Sequence, residues 1–183
     1  MPRHLTAALD RVTTVLRRLA RPARPARGHD SPAPPRGQAR TGAGPAAYGP
    51  YAGDATTLPD MTYAPAVDGE PDPGEIVWAW VPFEEDHSRG KDRPVLVIGH
   101  EGDRLVALQL TSRDHDLDEH QERRAGREWV DIGSGSWDGR GRSSEVRVNR
   151  LLRLDPRHVR REGAVLGPDR YEEVVAAVRR HHR

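Results

Sequence analysis

At Pro73–Gly74 the chain changes character, and that change constrains its fold more than any other feature. Downstream of it, short runs of β-branched and aromatic residues alternate with polar, glycine-bearing turns. EIVWAWVPF, RPVLVIG, RLVALQLT, EWVDIG and SSEVRVNRLLRL each read as a strand. EEDHSRGKD, EGD, the charged stretch SRDHDLDEHQERRAGR and the glycine-rich SGSWDGRGR separate them. RPVLVIG is almost wholly apolar, which predicts burial on both faces. Trp78 and Trp80 share one face of the first strand, which predicts core or a dimer contact there. The closing GPDRYEEVVAAVRRHH predicts a helix: Pro168 suits its first turn. Asp169, Glu172 and Glu173 come early and Arg179 and Arg180 late, as the helix dipole favours. Tyr171, Val174, Val175 and Val178 form its apolar face. Five strands and one helix predict a mainly β domain over residues 73–183, a small curled antiparallel barrel, because closure removes exposed sheet edges.

Upstream, nothing supports a core. Hydrophobic residues are 35% and charged residues 31% of the 183, so a core must be concentrated in part of the chain. Residues 21–72 are rich in proline, glycine and alanine and read as a disordered linker that cannot offset its backbone entropy. Tyr48, Tyr51 and Tyr63 follow no period there and read as solvated. Residues 1–20 hold a short basic amphipathic helix, with Leu5, Leu9, Val12, Leu16 and Leu19 on one face. Such a helix could touch a membrane surface or a partner. At this length it is marginal in water, which favours a dispensable leader. Arg11, Arg17 and Arg18 interrupt any secretory apolar core. No apolar run reaches the roughly 20 residues of a membrane span. The absence of cysteine excludes disulfides, thiolate metal sites and a cysteine nucleophile, and fits a cytoplasmic setting. A net charge of +1 excludes a general polycation.

The residues able to carry chemistry are few. Arg93 stands where the polar loop enters the second strand, held extended by Pro94; its guanidinium can grip a phosphate through two parallel hydrogen bonds. Thr111 and Ser112 end the third strand, where hydroxyls can meet a phosphate oxygen or simply shape a turn. His87 is a candidate proton carrier near neutral pH, though a solvated loop histidine is the plainer reading. Trp137 could stack on a base or pack against the barrel rim. Asp114, His115, Asp116, Asp118, Glu119 and His120 include metal-ligand types. Without a helical histidine pair or cysteine, they read as a solvated acidic loop, and no metal or cofactor is expected.

In order, PGEIVWAWVPF, KDRPVLVIG, LQLTS and SSEVRVNRLLRL resemble the PemK/MazF family of toxin endoribonucleases over about residues 73–180. The resemblance implies an SH3-like PemK/MazF/CcdB-like barrel that forms a homodimer, cleaves single-stranded RNA without a metal, and binds a cognate antitoxin peptide. It implies catalytic roles for Arg93 and Thr111, with Ser112 beside them. Asn149 and Arg150 fall where the family usually has an Asp-Gln pair, and join Arg89, Lys91 and Trp137 as RNA-binding candidates. Glu84, Glu85 and Asp86 should repel a polyanion unless Arg89 and Lys91 offset them. Two other readings use the same barrel: a module that binds nucleic acid or protein without cutting, and a toxin acting on a topoisomerase.

Overall fold

The computed structural model describes residues 49–66, 68–112 and 126–183, with no side-chain description for 161–163. The chain divides into the units Met1–Pro35 and Arg36–Arg183. All described residues belong to the second; the helix expected within residues 1–20, Tyr48 and the acidic run Asp114–His120 lie outside the described residues.

Seven strands are present among the described residues: β1 (Glu75–Pro82), β2 (Gly90–Glu101), β3 (Arg104–Thr111), β4 (Trp129–Gly133), β5 (Ser144–Arg147), β6 (Leu152–Leu154) and β7 (Arg160–Val165). Helix α1 (Pro168–His181) closes the chain. The order is β4-β5-β3-β2-β1-β7, with β6 also paired to β3. Every pairing is antiparallel, and the result is a mainly β, curled half-barrel. Five strands were expected. SSEVRVNRLLRL divides into β5 and β6 because β3 bonds the first part at Leu110–Thr111 and the second at Leu105–Ala107. β7 had no sequence forecast; RREGAV lacks an apolar alternation and becomes a strand by pairing with β1.

Alternation along the central strands builds two apolar clusters. Ile76, Leu96, Ile98, Val106, Leu108 and Leu110 pack with Tyr171, Val174, Val175 and Val178 of α1. Val77, Ala79, Val81, Val95, Val97, Leu105, Ala107, Leu152 and Leu154 form the second. Val95–Ile98 are buried, as the apolar run demands. Burying each such side chain contributes about 1.5–3 kcal/mol. Trp78 and Trp80 are only half-buried, so their face is not simply core.

The stretch 49–66 was expected to be solvated linker, and it instead packs on the half-barrel. Asp54 bridges to Leu152, and the Ala55 N–H donates to the Leu151 carbonyl. Met61 is buried. Tyr63 donates to the Leu166 carbonyl at 2.9 Å and packs on Tyr171. Tyr51 donates to Asp54. These residues have no helical or strand period because they fill a surface built by other elements.

Candidate active site

The paired register of β2 and β3 sets Leu96 opposite Leu108 and Val95 opposite Gln109. Two residues beyond that last pair lie Arg93 on β2 and Thr111 on β3, on the strand faces of Val95 and Gln109. There the paired ladder ends, and a cleft of about 260 Å³ opens, lined by both residues. Trp78 and Pro94, partners across β1 and β2, also line it. So do Asp92, Leu110, Ser112 and, from the β4–β5 turn and the start of β5, Trp137, Asp138, Arg142 and Ser144.

Four of the expected residues, Arg93, Thr111, Ser112 and Trp137, therefore share one cleft. Arg93 is half-buried and Thr111 is 8% exposed. Ser112 accepts from Arg142 Nη2 at 2.6 Å. Trp137 is buried, and its Nε1 donates to Ser144 Oγ at 3.1 Å, so its indole supports the wall.

The other candidates are elsewhere. Arg89 and Lys91 place their cationic groups 5.8 and 5.9 Å from the Phe83 ring centroid. Asn149 Oδ1 accepts from Arg147 Nε, and its amide donates to the Gly126 carbonyl. Arg150 is 4% exposed and donates to Asp54 Oδ2 and the Pro82 carbonyl. His87 sets its ring edge-on to Tyr51 and does not line the cleft.

Nor does the acidic loop present all its charge. Arg147, itself buried, donates to both oxygens of Glu84 at 2.9 and 2.7 Å. Those hydrogen bonds hold the Glu84 carboxyl below its ordinary range against the opposing effect of burial. Asp86 accepts from the backbone and hydroxyl of Ser88. The cations that offset Glu84 are thus Arg147, with Arg127 Nε at 3.7 Å, and neither Arg89 nor Lys91.

Three charged cleft residues escaped the sequence reading. Asp92 pairs with Arg160 at 3.2 Å. Asp138 and Arg142 are joined by bonds from Arg142 N, Nε and Nη2. Their spacing of four inside a glycine-rich turn was the available signal, and it reads equally well as turn chemistry. Among the described residues no group of three or more histidines or carboxylates is placed to hold a metal ion.

The described family of PemK-like, MazF-like toxins of type II toxin–antitoxin systems matches residues 72–182. The chain belongs to that family. Within it, this PemK/MazF-like chain has 22% identity to a chain of the MazE-MazF complex (Form-II) from Deinococcus radiodurans. That likeness covers 59% of this chain and 91% of the other, with a TM-score of 0.40. The comparison with curated proteins found no match. No helix among the described residues is long and apolar enough to cross a membrane.

Proposed function

We propose that this toxin-family chain is an endoribonuclease that cleaves single-stranded RNA without a metal ion, acting in a type II toxin–antitoxin system. The observation that supports it is the shared cleft of Arg93 and Thr111, residues distant in sequence. In such a reaction the ribose 2′-hydroxyl attacks its own phosphorus and the bond to the 5′-oxygen breaks. The products are a cyclic 2′,3′-phosphate and a 5′-hydroxyl. One proton leaves the 2′-oxygen and one reaches the departing oxygen. Arg93 offsets the charge that grows on the non-bridging oxygens and donates a hydrogen bond to the departing oxygen, which takes its proton from water. Thr111 and Ser112 hold the phosphate in line. The guanidinium stays protonated, so another group or water takes the first proton. A homodimer and an antitoxin peptide bound across it belong to the same reading.

A synthetic single-stranded RNA incubated with the protein and a chelator should be cut. Arg93→Ala should slow cutting by about 10²–10³-fold, the usual loss of one charge-stabilising donor. Equal cleavage by both proteins would refute the assignment. RNA retained intact by the unchanged protein would favour a binding module, and intact RNA with altered DNA topology would favour a topoisomerase target.

A further inference from the structure

The β4–β5 turn reaches back across the cleft to the end of β3. Asp138 is 12% exposed at its side chain and grips Arg142 through three bonds. Arg142 Nε meets Asp138 Oδ2 at 3.1 Å, and Nη2 meets Oδ1 at 3.1 Å. The backbone N–H of Arg142 donates to the same Oδ2 at 2.8 Å. This fixes the plane of the guanidinium. From that plane Nη2 also donates to Ser112 Oγ at 2.6 Å, and all three residues line the cleft that holds Arg93 and Thr111.

A serine hydroxyl has one proton and two lone pairs and otherwise rotates to suit its surroundings. Ser112 follows directly on the last residue of β3, where the ladder does not restrain it. A donor held by a carboxylate removes that freedom: with one lone pair committed to Arg142, the hydroxyl proton must point away from the guanidinium. Thr111 and Arg93 line the same cleft. A bond from a charged donor also polarises the hydroxyl and makes it a stronger donor in turn.

We infer that Arg142, oriented by Asp138, is a positioning residue that turns Ser112 into an aimed hydrogen-bond donor for the non-bridging oxygens of the scissile phosphate. The inference rests on the nuclease reading above. It assigns to the β4–β5 turn a role in the reaction that packing alone would not give it. Arg142 acts through Ser112, so the effects of changing the two must not add.

The test is a double-mutant cycle on RNA cleavage with the full chain, comparing Arg142→Gln, Ser112→Ala and the pair. Arg142→Gln should lower kcat roughly tenfold and leave KM within about twofold, since the lost bond matters most where charge develops. In the Ser112→Ala background, Arg142→Gln should cost nothing further. Arg142→Lys, which keeps the charge and one donor, should restore part of kcat. Melting curves guard against general damage. If Arg142→Gln is poorly folded, Arg142→Lys alone in the two Ser112 backgrounds reads the same coupling. Additive losses, a change confined to KM, or unaltered kcat would each overturn the positioning role while leaving the nuclease reading intact. No cleavage by the unchanged protein would overturn both.

Discussion

Glu84 and Arg147 meet from 63 positions apart, and their environments differ. Arg147 is 5% exposed at its side chain and Glu84 is 39% exposed. Burial makes the cation dependent on its partner, whereas the carboxylate could return to water. Glu84→Gln removes the anion and leaves Arg147 with neutral acceptors, among them Asn149 Oδ1. Breaking a fully buried pair costs about 3–5 kcal/mol; with Glu84 more than a third exposed, about 1–2 kcal/mol is expected here. The pair also sets a pH dependence. Arg147 lowers the folded-state value of Glu84 below its ordinary 4.5, so the stabilisation is full above about pH 4.5 and fades as pH falls through the lower, folded value. Thermal melts between pH 7 and 3 should therefore show a smaller acid loss in Glu84→Gln than in the unchanged protein. Parallel curves would mean the pair does not carry that stability. Nothing in the local sequence distinguished Glu84 from Glu85: both read as a repulsive loop charge, and only a partner 63 positions away separates them.

At the scale of elements, the β4–β5 turn shows how a glycine can be required by a neighbour. A Cβ on Gly135 would lie 2.1 Å from Cζ3 of Trp137, inside the indole. Gly135→Ala must displace that ring and disturb its bond to Ser144. We expect a loss of about 1–3 kcal/mol, the usual range for overpacking, together with slower RNA cleavage because Trp137 backs the cleft wall. Gly139→Ala meets nothing within 4 Å and should change neither the melting temperature nor the rate. A Gly135→Ala protein that melts and cuts like the unchanged one would show that the wall adapts. SGSWDGRGR was legible as a turn from its glycines. Packing of its tryptophan against the barrel was among the readings offered, but that its Asp138 and Arg142 would meet Ser112 was not, since a turn's composition does not say which wall it folds against. The strands divide along the same line. RLVALQLT, with its dense β-branched and apolar content, became β3 with the expected bounds. RREGAV became β7 only because β1 had an open edge to pair with.

Across the whole molecule, the stretch 49–66 ties the sheet to its helix. Asp54 accepts from Arg150 Nε at 3.0 Å, and the Asp54 carbonyl accepts from Arg153. Arg150 also donates to the Pro82 carbonyl, while its buried Nη2 has no hydrogen-bond partner among the described residues. Asp54→Ala would leave this 4% exposed guanidinium without its counter-charge. We expect it to destabilise the domain by about 2–4 kcal/mol, somewhat below the cost for a fully buried pair, read as a lower denaturant midpoint at unchanged slope. A midpoint shift under about 0.5 kcal/mol, typical of surface substitutions, would mean that Arg150 finds water or another acceptor. The same packing accounts for Met61 and Tyr63, which lie against the cluster that α1 completes.

By itself the sequence determined the strand-and-turn character after Pro73, the apolar face of α1, the family, and the identity of Arg93 and Thr111 as the pair to examine. Each depends on local periodicity or a short motif, which a chain carries wherever it is placed. Tertiary structure alone decided which cations are buried as braces, Arg147 and Arg150, and which stand on the cleft, Arg93 and Arg142. It also decided that 49–66 packs on the domain. A guanidinium has the same chemistry at every position; its role follows from how much water is left around it and which carboxylate the fold sets opposite, and both are properties of distant segments brought together.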